Sequence, residues 1–196
     1  MPDATQEFLN SPIVFLHRTP CECTAEFIGL RTMNLQVIRE EDFNFAQLRP
    51  TPQGEAGALF YILGWKGNQS STGVLGSAAR FFFTGPLSGC TFAVDKNWTT
   101  PRVIHVNYTL PTGAMDTGRM TGTVNTYMAN ATSWLRFWQT GPNITVVQSH
   151  NRPEGYTYNI FGYRSRVGWS FFQQRIETVG LGDQRVRGVD ELDTWV

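Results

Sequence analysis

Charge is scarce in this chain. Only 16% of its 196 residues are acidic or basic, and sixteen of each sign cancel to a formal net charge of zero. Such a balance carries neither the basic footprint of a nucleic-acid binder nor the acidic one of a polyanion mimic, so no nucleic-acid partner is expected. Long apolar runs are missing as well. The longest fall far short of the roughly eighteen residues a spanning helix needs, so no membrane span is expected. The opening "MPDATQEFLNSP" is polar and lacks a basic n-region, which leaves a signal-independent route or a specialised machine as the expected path of any export. The three cysteines are too few and too unevenly placed for a disulfide framework. Cys21 and Cys23, with His17 four residues upstream, hint at a metal site, but zinc sites show two spaced ligand pairs and no second pair follows. They read as two partly buried thiols on one face of a strand, and no metal or other cofactor is expected. Five Asn-x-Ser/Thr sequons, at Asn68, Asn97, Asn107, Asn130 and Asn143, are a by-product of a Thr- and Asn-rich composition.

What the chain does hold is apolar and aromatic side chains, at 41% and 13%. At this length most apolar surface can be buried without staples. Nineteen Gly, ten Pro and many Thr and Asn favour strands and turns over long helices. The expected architecture is one compact α/β domain spanning residues 1–196. It has a mixed β-sheet or β-sandwich core, one or two flanking helices, and a monomer is favoured. "SPIVFLH" reads as a short strand, and "AEFIGLRTMNLQVIRE" as one or two more, interrupted at Gly29. "FAQLRPTPQGEAG" and "KGNQSSTGVLG" read as loops. "ALFYILGW" is a continuous apolar run, hence a central strand buried on both faces. "SAARFFFT", "TFAV" and the strictly alternating "RVIHVNYT" follow as strands. A helix over residues 124–139 is expected from the stripe of Tyr127, Ala131, Trp134, Leu135 and Trp138, with Gly141-Pro142 as its stop. "NITVVQSH", "YTYNIFGYRS" and "VGWSFFQQRIE" are three further strands, and the polar tail is expected to fray. Residues 58–109 are expected to form neighbouring strands of one sheet.

The best-presented cysteine sits in "FFFTGPLSGCTFAVD". A structural cysteine usually lies within a strand or helix. Cys90 instead follows Gly89 and a Gly-Pro break, at the start of a β run. Gly89 permits a positive φ or a close backbone approach. Such a turn can aim successive N–H groups at one point, as an oxyanion site requires. A thiolate there is a nucleophile if a base activates it. His105 lies fifteen residues downstream in an alternating strand. If "TFAV" and "RVIHV" pair as neighbours, Cys90 and His105 reach the same end of the sheet. The bland reading stays open beside this one: an inert cysteine in a core turn and a strand histidine bonded to backbone.

Leu87-Ser88-Gly89-Cys90, the downstream His105 and the Phe82-Phe83-Thr84 run together resemble the active-site region of the bacterial glutamine-deamidase toxins. These comprise the Burkholderia lethal factor and the catalytic domain of the cytotoxic necrotizing factors. The motif-level match spans residues 82–105, and the loop between cysteine and histidine differs in length. The resemblance implies a hydrolase that converts a specific glutamine of a host protein to glutamate through a Cys-His thioester. The host protein would be a translation initiation helicase or a Rho-type GTPase. Cys90 would be the nucleophile, and its depressed pKa would reflect a charged His105 and the turn's N–H dipoles. His105 would be the base, and Thr84, by hydroxyl or carbonyl, would orient the imidazole. The Ser88–Gly89 backbone would contribute to the oxyanion site. The resemblance also implies secretion, or delivery into the host cytosol, without a signal peptide.

Two rivals stand beside this. A Cys-His transglutaminase or thiol protease would use the same dyad. A non-enzymatic, aromatic-rich carbohydrate- or protein-binding β module would use Trp65, Trp98 or Trp169, if exposed, as stacking surfaces. Loops 64–73, 94–101 and 109–118 are the candidates for choosing a substrate.

Overall fold

The computed structural model describes residues 3–23, 26–40, 44–95, 97, 99–129, 144–149, 155–179 and 183–192. In chain order these form α1 (Ala4–Asn10), α2 (Pro12–Arg18), β1 (Cys21–Glu22), β2 (Leu30–Arg39), β3 (Ala46–Pro50), β4 (Ala58–Leu63), β5 (Gln69–Val74) and β6 (Phe81–Leu87). There follow β7 (Thr91–Asp95), β8 (Arg102–Asn107), α3 (Thr117–Ala129), β9 (Ile144–Gln148), β10 (Tyr156–Arg164), β11 (Trp169–Val179) and β12 (Asp183–Glu191). The strands make two sheets. An eight-stranded sheet runs β1-β3-β2-β4-β6-β10-β11-β12, and a four-stranded sheet runs β5-β8-β7-β9. In the larger sheet β1/β3 and β4/β6 pair parallel and the other neighbours antiparallel, so it is mixed. The architecture is the α/β class with a β-rich core expected from composition.

Strand alternation divides the phenylalanine run between two cores. Phe81 and Phe83 point to one side of β6, where Phe8, Phe15 and Leu16 of α1 and α2 pack against Phe60 and Ile62 of β4. Phe82 points to the other side, against Phe92 of β7 and Phe171 of β11. Each such ring, removed wholly from water, contributes about 1.5–3 kcal/mol. The larger sheet curls around its helices, so its edges meet: Gln184 of β12 donates to Glu22 of β1. The smaller sheet covers the opposite face, and α3 seals its back with Met120, Val124 and Met128 on Ile104 and Val106.

Several local expectations need correcting. "SPIVFLH" is helix α2, with Pro12 in its first turn and consecutive Phe15 and Leu16 both buried, which a strand would send to opposite faces. The "FAQLRP" stretch holds β3, whose Ala46 and Leu48 alternate inward. The polar "QSSTGV" is edge strand β5, and the polar tail holds β12, also at an edge; edge strands need few apolar residues. The helix begins earlier than expected, at Thr117, and Trp134, Leu135 and Trp138 lie outside the described residues. Residues 58–109 do not share one sheet. β4 and β6 belong to the larger, and β5, β7 and β8 to the smaller, because two-sided burial says that a strand is covered but not by what. No helix among the described residues is long and apolar enough to cross a membrane.

Candidate active site

The split between sheets builds the site. β8 carries His105 opposite Phe92 of β7, and Cys90 immediately precedes β7, its side chain in the same inter-sheet core as Phe92. Thr84 comes from the facing sheet, on the side of β6 that bears Phe82. Thr84, Cys90 and His105 are 0%, 3% and 1% exposed, so the three stand in the seam of the sandwich and out of bulk water.

A hydrogen bond crosses the seam at this point: Thr84 Oγ1 lies 2.9 Å from His105 Nδ1. The same hydroxyl donates to the Leu63 carbonyl at 2.8 Å. A threonine has one hydroxyl proton, and a carbonyl can only accept. With that proton on Leu63, the ring must donate to Thr84, so Nδ1 carries the imidazole proton and Nε2 a bare lone pair. Nε2 is buried and has no hydrogen-bond partner. Among the described residues, the other buried side-chain atoms without partners sit on Thr51, Arg102, Trp169, Arg175 and Gln184, and none of these is a base at neutral pH. The orphan on His105 is.

The cysteine turn is held as firmly. Gly89 has φ +102°, a conformation that side chains rarely adopt. A Cβ there would also lie 2.6 Å from Met115 Cε and would push that flexible side chain aside, so it is the backbone conformation that requires glycine. Ser149 straps the turn: its Oγ accepts from Gly89 N–H at 2.7 Å and donates to the Cys90 carbonyl at 2.9 Å, and its own N–H donates there at 3.1 Å. This corrects the role expected of Gly89, whose N–H is committed to Ser149 and is not available to an oxyanion. The Ser88 backbone does face the sulfur, with a hydrogen bond that favours the thiolate.

Electrostatics correct a second expectation. Burial pushes the Cys90 thiol up from 9.0 to about 11, outweighing the Ser88 hydrogen bond. Burial also holds His105 down from 6.5 to about 3. The resting pair is a neutral thiol and a neutral imidazole, because an apolar seam disfavours both charged forms. Cys21 and Cys23 are likewise buried and raised, with desolvation the largest cause.

Two candidate loops touch the site. Half-buried Trp65 stacks on His105 with ring centres 6.4 Å apart and planes 26° apart, and half-buried Met115 covers Gly89. Loop 94–101 joins the far ends of β7 and β8, away from Cys90. Trp169, expected as a possible exposed platform, is 2% exposed and stacked on Phe171; Trp98 lies outside the described residues. Sequence reasoning missed Ser149 and the Leu63 carbonyl. Ser149 is 59 residues from Cys90, and a backbone carbonyl leaves no trace in residue identity, so neither had a sequence signal. No protein-family model matches the chain, and no curated protein matches it either.

Proposed function

We propose that this chain is a protein-glutamine deamidase, delivered to act on a host protein, with Cys90 as nucleophile, His105 as base and Thr84 as the residue that positions it. The observation that carries the reading is the buried, unpartnered lone pair on His105 Nε2, its tautomer set by Thr84, in the same seam as a cysteine on a strapped glycine turn. Unsatisfied buried polar atoms are costly, about 1–3 kcal/mol each, and a base so placed points to a proton it is meant to receive. The substrate class, a glutamine side chain, is what the resemblance of residues 82–105 to the deamidase toxins implies.

Because both groups rest neutral, the proton leaves Cys90 Sγ for Nε2 during attack rather than before it. Sγ bonds to the amide carbon, and the carbonyl oxygen takes up the negative charge. The Cys90 N–H is the donor best placed for that oxygen, since Ser149 fixes the peptide groups on either side of it. Collapse of the adduct expels ammonia, which takes the proton from Nε2 and leaves a thioester. Water, deprotonated by Nε2, then adds to the thioester. The thiolate leaves and is reprotonated, and glutamate is the product. Trp65 and Met115 are the half-exposed side chains that an arriving glutamine must displace or contact.

The test works on an unidentified target. A eukaryotic lysate is incubated with the protein in water enriched in heavy oxygen, and peptides are searched for glutamine positions converted to glutamate that carry the label. Each conversion adds about one dalton beyond the label, as amide hydrolysis through a thioester requires. The expected result is a small set of labelled sites that vanishes with Cys90→Ser. No Cys90-dependent labelled site in the lysate overturns the reading.

A further inference from the structure

We propose that the groove between the β10–β11 turn and the start of β6 is a docking site for an acidic protein segment bearing apolar side chains. The inference stands apart from the chemistry at Cys90. β6 runs from this groove at Phe81 to the cysteine turn after Leu87, so the two sites lie at opposite ends of a seven-residue strand, about 20 Å at strand rise.

The groove has a volume of about 1090 Å³, and among the described residues neither aspartate nor glutamate lines it. Three arginines do: Arg80, Arg164 and Arg166. Backbone pairing sets two of them side by side, since Arg164 N–H donates to the Arg80 carbonyl at 2.8 Å. Their guanidinium groups are tethered by neutral acceptors. Arg80 donates to the Tyr163 hydroxyl and lies 4.9 Å from the centre of that ring, and Arg164 donates to the Ser77 carbonyl at 3.2 Å. Arg166 stands exposed on the turn.

Some surface arginines, such as Arg119 over the Tyr108 ring and Arg175 on the Arg187 carbonyl, are also held by neutral groups, but three are compensated by acids. Arg39 pairs with Glu7, Arg49 with Glu40 and Arg187 with Glu177. In the groove Arg80 and Arg164 are restrained, and no carboxylate among the described residues pairs with any of the three arginines. An incoming carboxylate therefore meets donors already in place, and planar guanidinium groups suit carboxylates.

The apolar rim chooses between anionic partners. Val167 at the turn tip is 73% exposed and Leu59 on β4 is 48% exposed, flanking the arginines. Exposed aliphatic side chains beside cations fit an acidic peptide with leucine-like residues. A nucleic-acid strand would need free aromatic faces or a longer basic track. Here the ring of Tyr163 is already covered by Arg80, and the chain as a whole is neutral.

The test is fluorescence anisotropy on the intact chain with three labelled probes: a Glu-Glu-Leu repeat peptide, its Gln-Gln-Leu counterpart and a single-stranded RNA of similar length. The acidic peptide should bind, and raising the salt should weaken binding. The neutral peptide should bind at least about tenfold more weakly, as loss of complementary charge implies. The triple variant Arg80→Gln/Arg164→Gln/Arg166→Gln should lose at least about tenfold in affinity for the acidic peptide. Val167→Ser should lose about threefold, because it removes one apolar contact. Arg39→Gln should bind like the parent. If the triple variant fails to fold, Arg166→Gln alone, on an exposed turn, must still weaken binding. RNA bound more tightly than the acidic peptide, or Arg166→Gln binding as the parent does, overturns the proposal.

Discussion

Two buried polar clusters sit on opposite faces of the larger sheet, and they differ in one respect. On the helix side, Gln174 of β11 is fully buried and makes three hydrogen bonds. Its amide donates to the Leu16 and Thr19 carbonyls at 2.7 and 2.8 Å, and its oxygen accepts from Cys21 N–H at 3.0 Å. Asn159 adds a fourth contact, to the Cys21 carbonyl at 2.5 Å. This cluster fastens the end of α2 and the short β1 to the sheet. On the seam side, Thr84 is satisfied twice over, yet His105 ends in a bare nitrogen. A cluster that satisfies both amide hydrogens and a carbonyl has an architectural task. On the proposed function, the cluster that stops one bond short, on a base, keeps that bond for the substrate's chemistry.

The comparison breaks most visibly in His105→Leu and Cys90→Ser. We predict at least about a thousandfold loss of deamidation in each, since nucleophile and base act as a unit. His105→Leu should leave unfolding stability unchanged or raise it by about 1 kcal/mol. It removes an orphaned polar atom from an apolar seam, and Thr84 keeps its bond to Leu63. Urea unfolding beside turnover checks both halves. If His105→Leu destabilises the fold by several kcal/mol, the seam cluster is architectural too.

Gln174→Leu should do the reverse. Two carbonyls and one N–H would lose their partner in a buried place, at a total cost of about 3–5 kcal/mol. The molecules that remain folded should keep their specific activity, measured per folded protein by circular dichroism. A selective loss of turnover without loss of stability would couple the two faces of the sheet and end the distinction.

Titration sharpens the contrast further. His105 is neutral in the fold down to about pH 3, whereas the unfolded chain takes up that proton near 6.5. Between those values the unfolded state binds more protons, so stability rises with pH and is lost as pH falls below about 6.5. The slope for one such proton is about 1.4 kcal/mol per pH unit. On the alkaline side Cys90 and Cys23 stay protonated to about 11 against an ordinary 9.0, so stability falls as pH rises above 9.0. Urea midpoints from pH 4 to 7 should flatten in His105→Leu and keep the parental slope in Gln174→Leu. An unchanged slope in His105→Leu would mean that another group carries the acid sensitivity.

How much of this the residues announce depends on the distance over which they act. Alternation in "RVIHV" and the apolar run "ALFYIL" report burial, and β8 and β4 stand where those patterns put them. The cysteine turn is legible for the same local reason, because Gly-Pro and Ser-Gly specify backbone on their own. Partnership is another matter. Phe83 and Phe92 look alike in sequence, yet they belong to facing sheets, so the Thr84–His105 bond was foreseeable as a role and not as a bridge between layers. The resting charge state was illegible too. The residues that desolvate Cys90 and His105 come from both sheets, and no spacing rule gathers them.

The smallest effect we predict tests the tautomer itself. Thr84→Val preserves shape but removes the hydroxyl that accepts from Nδ1–H and donates to the Leu63 carbonyl. The Leu63 carbonyl then loses that donor, costing about 1–2 kcal/mol of stability, and the imidazole is free to place its proton on Nε2 instead. In that tautomer the base is blocked. Turnover should fall about tenfold to a hundredfold, the usual range for a positioned proton-transfer group that is partly misplaced, with KM little changed. Thr84→Ser, which retains the hydroxyl, should recover most of the loss. Nitrogen NMR of the ring should show an unprotonated Nε2 in the parent and in Thr84→Ser, and a tautomer mixture in Thr84→Val. A fully active Thr84→Val would reduce the hydroxyl to a fastener between sheets, like Gln174, and leave His105 to choose its own tautomer.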